Sequence, residues 1–249
     1  GKLPEGHCAS LLSIADKLDT LCGCFSVNLI PTGGADPYAL RRQSIGIILI
    51  MLEQNYVFSL TEMIEKGLET FITDPAKKDE TAVQIKAFLQ NRMINILTDK
   101  GFSKEAVNSA LSASFDNIPD VVKRVEALNT LRKETDFEAL SITFKRVENI
   151  IRKADIKTAL TVDESLFDNP AEGVLYTAVN EVKTKADQLI KQGNYHQALL
   201  DIASLRPQVD TFFDDVMVMA EAQKLRQNRL ALLASVSGLF GNIADFSML

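Results

Sequence analysis

A chain of 249 residues with 46% hydrophobic side chains can bury a real core, enough for one large domain or two modest ones. Its formal charge of -6 argues against an indiscriminate polyanion binder, so any nucleic-acid contact has to come from a local basic patch. The longest apolar run, Ile45 to Leu52, is eight residues with Gly46 inside it, far short of the roughly 20 a membrane span needs. Cys8, Cys22 and Cys24, an odd set without a secretory segment, fit reduced thiols in a cytoplasmic protein.

Helical signals recur along the chain and strand signals are nearly absent. Leu11, Ile14, Ala15, Leu18, Leu21, Cys22 and Phe25 recur at three- and four-residue steps, which predicts one apolar side of a helix. Asn28 to Ala35, with Pro31, Gly33 and Gly34, reads as a loop. Asp36-Pro37 reads as a cap and first-turn proline for a helix from 37 to about 55. Ser59-Leu-Thr-Glu62 has capping-box spacing and predicts a helix through Phe71. A break over Thr73 to Asp79 precedes a helix from Thr81 to Thr98, which Gly101 ends. Ser103 caps a helix through Ala113, Pro119 opens one to about Glu134, and Asp136 caps Phe137 to Lys153. Asp155 to Asp168 reads as a long connection with at most one helical turn. Asn169-Pro170 then starts a helix to about Gln192, and further helices run from Asn194 to Leu205, from Pro207, and from Glu221 to Phe240. The expected class is all-α, with antiparallel packed helices and a domain boundary at residue 135.

Periodicity does not demand the string Ala15-Asp-Lys-Leu-Asp-Thr-Leu-Cys-Gly23, nor the later Pro31-Thr-Gly33 and Asp36-Pro-Tyr-Ala-Leu-Arg-Arg42. These segments resemble the beta subunit of bacterial heterotetrameric glycyl-tRNA synthetases, with mild departures at Cys22, Cys24 and Tyr38. Phe144-Lys-Arg-Val-Glu-Asn-Ile-Ile151, Tyr195-His-Gln-Ala-Leu199, Phe212-Phe-Asp-Asp-Val-Met-Val-Met219 and Leu225-Arg-Gln-Asn-Arg-Leu230 resemble that family's C-terminal DALR-like anticodon-binding helices. The family subunit is much longer than this chain, which reads as a C-terminal fragment. The resemblance implies that residues 1–134 include the tail of an HD-like domain and that 135–249 hold the anticodon-binding domain. It further implies that the fragment serves glycine attachment to tRNA(Gly) without being catalytic itself. The implied partners are tRNA(Gly), the alpha subunit and the remainder of the beta subunit, with neither membrane nor DNA. ATP, with Mg, is implied at the class II site of the alpha subunit, and no cofactor in this fragment.

Within that frame, residues 141–157 carry five cations (Lys145, Arg146, Arg152, Lys153, Lys157) and two anions (Glu148, Asp155), a net +3 on an acidic chain. Phe144, Val147, Ile150, Ile151 and Ala154 form the expected inward stripe, leaving Lys145, Arg146, Asn149, Arg152 and Lys153 outside. Alone, that pattern fits a solvated helix face; with the resemblance it becomes a candidate phosphate-binding face. A second candidate surrounds Phe212 to Met219. Phe213, Val216 and Met217, with Met219 beside them, are expected to pack in the core, while Asp215, Arg226, Asn228 and Arg229 are candidate polar readers of unstacked bases. Arg41-Arg42 is expected to be structural rather than phosphate-binding. Two histidines, His7 and His196, cannot assemble a His-rich metal site, and Cys22-Gly-Cys24 lacks zinc-knuckle spacing. His196 is expected on a surface helix. Neither a nucleophile elbow nor a P-loop is present; Thr32-Gly-Gly34 is followed by no P-loop lysine. Two alternatives to RNA binding remain: a non-catalytic scaffold for subunit assembly, and the remnant of an HD-type phosphohydrolase.

Overall fold

A computed structural model describes residues 2–134, 136–154 and 161–249. Among them the chain is all-α, as expected. The helices are α1 (His7–Ser26), α2 (Leu40–Glu53), α3 (Leu60–Leu68), α4 (Pro75–Asp99), α5 (Lys104–Ala113), α6 (Ile118–Leu131), α7 (Phe137–Lys153), α8 (Pro170–Lys191), α9 (Tyr195–Ala203), α10 (Arg206–Asp215) and α11 (Gln223–Phe240). Short 3-10 turns lie at Glu164–Leu166 and Phe246–Met248. The expected connection from Asp155 falls partly outside the described residues, as does Lys157.

The helices form two compact units, Gly1–Val107 with Ser114–Val122, and Asn108–Ala113 with Lys123–Leu249. In the first, α1 packs on α2 and α3, and α4 packs on α1, α2 and α3. Leu21, Ile47, Ile48, Met51, Leu60, Leu89 and Met93 are fully buried there, each worth about 1.5–3 kcal/mol relative to exposure. Gly67 permits the close approach of α3 to α1, because a Cβ at that position would lie 2.8 Å from Cys22 Sγ. Burial, reinforced by Asp19, pushes the Cys22 thiol up to about 12, so it packs as a neutral group. Asp116 holds the start of α3: its carboxylate accepts from Thr61 N at 2.8 Å and Ser59 Oγ at 3.1 Å, and its carbonyl accepts from Leu60 N.

Three boundaries in this unit differ from the sequence reading. Helix α2 starts at Leu40, not 37, because Ala39 takes a left-handed conformation with φ 55°. Asp36 still caps it from a distance, accepting from Leu40 N and Arg41 N. Helix α4 starts at Pro75, six residues earlier than expected, with the Asp74 carboxylate accepting from Ala76 N. This is the same Asp-Pro signal recognised at 36–37, overlooked inside a polar run. Leu11 and Ala15 are exposed, since α1 buries the narrower stripe of Ile14, Leu18, Leu21, Cys22 and Phe25.

In the second unit α11 packs against α7, α8 and α9, while α10 packs on α7 and α8. Phe144, Phe240 and Phe246 meet in its core, with ring centroids 4.4 Å apart for the first two and 4.2 Å for the last two. This unit reaches back beyond the boundary expected at 135. Arg124, 1% exposed, donates to the carbonyls of Ala110 and Ile243. Ser109 Oγ donates to Asp245 O, and Asp245 N donates to Ser109 O. These bonds satisfy buried polar groups of α5, α6 and the C-terminal segment together, which ties 108–113 and 123–134 to the later helices.

Candidate nucleic-acid interface

Helix α7 supplies the main candidate face. Leu140, Ser141, Thr143, Phe144 and Val147 are buried, while Ile150, Ile151 and Ala154 of the expected inward stripe are half-buried. At about 100° per residue, Arg152, Lys145, Asn149, Lys153 and Arg146 fall in that order within an arc of about 120° on the opposite side. Arg146, Arg152 and Lys153 are exposed and Lys145 and Asn149 are half-buried. Among the described residues none of the four cations forms an ion pair. Arg146 lies over the Phe213 ring, 4.0 Å from its centroid, which orders the guanidinium without neutralising it. Arg152 donates to Asn149 Oδ1 at 2.6 Å. Thr143 donates to Asp210 at 2.7 Å, fixing α10 against α7 beneath this face.

The polar residues of α11 stand differently. Asn228 and Arg229, expected among the base readers, are 4% and 5% exposed and fully committed within the unit. Asn228 accepts from Asp163 N and donates to Asp163 O, pinning the segment before the 3-10 turn. Arg229 Nε meets Glu172 Oε1 at 2.9 Å, its Nη1 donates to Met217 O at 2.9 Å, and Nη2 lies 3.6 Å from Asp168 Oδ2. Buried this deeply and bonded within the protein, neither side chain presents a donor to a base edge. Arg226 is half-buried and donates to Ala220 O. Asp215 is exposed, and its carbonyl accepts from Asn169 Nδ2.

Glu172 is the residue whose importance the sequence reading missed. It is fully buried, its Oε2 accepts from Asp168 N and Asn169 N at the start of α8, and its Oε1 receives Arg229. One carboxylate thus closes a capping box and a buried ion pair. The signal was the third residue after Asn169, in plain capping-box register.

Through Arg229 this pair also holds the segment after α10. Val216 is extended, with φ -121° and ψ 119°, and exposure alternates: Val216, Val218 and Ala220 are buried, Met217 and Met219 exposed. Phe213 and Val216 pack in the core as expected, but Met217 at 74% and Met219 at 59% exposure do not. The Val-Met-Val-Met string has period two, the mark of an extended segment, and that period outweighs the apolar character of methionine.

The remaining candidates lie outside α7 and α11. Arg41 Nη2 donates to Gly33 O at 2.7 Å, bracing the loop before α2, and Arg42 is exposed. His7 hydrogen-bonds Tyr56. His196 does not lie freely on a surface helix: it is half-buried, and its Nε2 is enclosed with no hydrogen-bond partner among the described residues.

The second unit is therefore a helical domain with a cationic face, its cations free of ion pairs among the described residues, a form suited to binding a polyanion. Residues 140–246 match the family model of the DALR anticodon binding domain, and residues 1–112 match that of the glycyl-tRNA synthetase beta subunit. Over its whole length the chain is similar to glycyl-tRNA synthetase beta subunits. It is 55% identical over 249 residues to a glycine–tRNA ligase beta subunit of Desulforapulum autotrophicum. It is 48% identical over 252 residues to that of Desulfatibacillum aliphaticivorans, covering 99% of this chain, and 45% to that of Trichlorobacter lovleyi, covering 100%. The chain spans 36% of the length of each of these relatives.

Proposed function

We propose that this chain is the part of a glycine–tRNA ligase that holds tRNA(Gly) by its anticodon arm. The observation that carries the reading is the coincidence of the anticodon-binding match over 140–246 with the exposed cations of α7, which form no ion pair among the described residues. Phosphate contacts from Lys145, Arg146, Arg152 and Lys153 would set register and orientation, while nearby polar and apolar side chains meet the bases. Holding the tRNA makes delivery of its acceptor end to a distant catalytic site nearly intramolecular. Glycine activation, with its ATP and Mg, belongs in this reading to the alpha subunit, and the whole assembly to the cytoplasm. Among the described residues no helix is long and apolar enough to cross a membrane.

The alpha subunit and the remainder of the beta subunit are the proposed protein partners. Supporting such contacts, Leu11 and Phe58 in the first unit are 44% and 38% exposed around a groove also lined by Ala15, Leu18 and Met63. A gel-shift titration with cognate and noncognate tRNA tests the reading. Tighter binding of tRNA(Gly) than of an anticodon-substituted transcript is expected. Equal affinity for both would transfer the chain to the scaffold alternative.

A further inference from the structure

Two thioethers of the second unit lie outside its core. Of the six methionines in the chain, Met51 and Met93 are fully buried, whereas Met217 and Met219 are 74% and 59% exposed. Single exposed apolar side chains are ordinary. These two leave one short segment at alternate positions, between the buried Val216, Val218 and Ala220. The segment's backbone is tied down on both sides of them: Val216 N donates to Phe212 O, Met217 O accepts from the buried Arg229, and Ala220 O accepts from Arg226. Four residues before Met217, the Phe213 ring carries Arg146 of the cationic α7 face. The fold thus fixes the backbone of this segment and leaves both methionine side chains to solvent.

Methionine is apolar only while reduced, since its sulfoxide is polar and chiral and disrupts methionine-rich contacts. We propose that Met217 and Met219 make tRNA binding by this chain sensitive to oxidation by hydroperoxides. In each event the peroxide O–O bond breaks and an S–O bond forms. The sulfur is oxidised by two electrons, the proton of the transferred oxygen passes to the departing one, and water or an alcohol leaves. Because neither side chain packs in the core, the unit keeps its fold while an apolar contact with RNA becomes a polar one. Met51 and Met93, at 0% exposure, are shielded from the oxidant. The cysteines respond differently. Cys22 is buried and held as its neutral thiol, the unreactive form. Exposed Cys8 forms sulfenic acid or a disulfide, which thiol reductants reverse, whereas methionine sulfoxide needs its own reductases. The inference rests on the RNA-binding reading and adds a form of regulation to it.

The test treats the chain with hydrogen peroxide, then with dithiothreitol, and titrates it with tRNA(Gly). Peptide mass spectrometry should find oxygen added to Met217 and Met219 well before Met51 and Met93. Once both are oxidised, affinity should fall by about fivefold or more, with Tm nearly unmoved and the salt slope unchanged, because no charge is altered. Methionine sulfoxide reductases of both stereospecificities should restore it. Met217→Leu/Met219→Leu, whatever its own starting affinity, should lose nothing further on the same treatment, since no sulfur remains at either position. Unchanged affinity with both sulfurs oxidised, an equal fall in the leucine variant, or a fall matched by a drop in Tm overturns the proposal and leaves the tRNA reading standing. An untreated chain that binds no tRNA overturns both.

Discussion

Arg146 and Arg152 of α7 and Arg229 of α11 are all candidates by sequence, and their surroundings make them opposites. Arg146 and Arg152 are exposed, held by a ring face and an amide, and keep their charge available. Arg229 sits 5% exposed against a fully buried Glu172, donates to Glu172 and Met217 O, and lies within ion-pair distance of Asp168. What separates them is a buried acid placed by another helix, and residue type alone does not reveal it. The surface cations should therefore govern binding with little effect on folding, and the buried pair the reverse.

The largest effect is expected from breaking the pair. Glu172→Gln or Arg229→Met leaves one buried group uncompensated and should cost about 3–5 kcal/mol, read as a drop in the chemical-denaturation midpoint. A loss under 1 kcal/mol would erase the contrast with α7. Next comes Lys145→Glu/Arg146→Glu/Arg152→Glu, for which tRNA affinity should fall at least tenfold and the salt slope shrink by about two to three, with Tm nearly unmoved.

A smaller effect sharpens the same distinction in the first unit, where a part-buried carboxylate works for folding. Burial alone would raise the Asp116 carboxyl, but bonds from Thr61 and Ser59, with the charge of Lys86, outweigh it and hold the group below its ordinary 3.8. A depressed carboxyl contributes stability above its unfolded value, and that contribution is lost as pH falls through the folded value. Asp116→Asn should thus cost about 1–2 kcal/mol at neutral pH. The gap between variant and wild type should close in acid, below about pH 4. Thermal melts at several pH values would show it, and a pH-independent gap would remove Asp116 from that role. Least of all, Met217→Ser and Met219→Ser should each change stability by no more than about 0.5 kcal/mol, since neither methionine is in the core.

Much of the architecture was legible in the chain because helix ends are written locally. Asn169-Pro170 with Glu172, Ser59 with Glu62, and Gly193 at φ 71° act where the sequence places them. The misreadings share another cause. Ala39 takes a left-handed turn that Asp36-Pro37 does not announce, and Asn228 is consumed by Asp163, 65 residues away. The outer side of α7 followed from its 3.6-residue period, whereas Glu148 joins Ser237 across 89 residues. Local chemistry is visible in a sequence; long-range commitment of a polar group is not.

Chemical footprinting of tRNA(Gly) by the wild-type chain and by the Lys145→Glu/Arg146→Glu/Arg152→Glu variant, at matched ionic strength, tests the central claim most directly. The account predicts protection of the anticodon arm by the wild type and its loss in a variant that melts at the wild-type temperature. Protection that persists undiminished in that variant, or that falls elsewhere on the tRNA, would contradict the assignment of α7 as the gripping face.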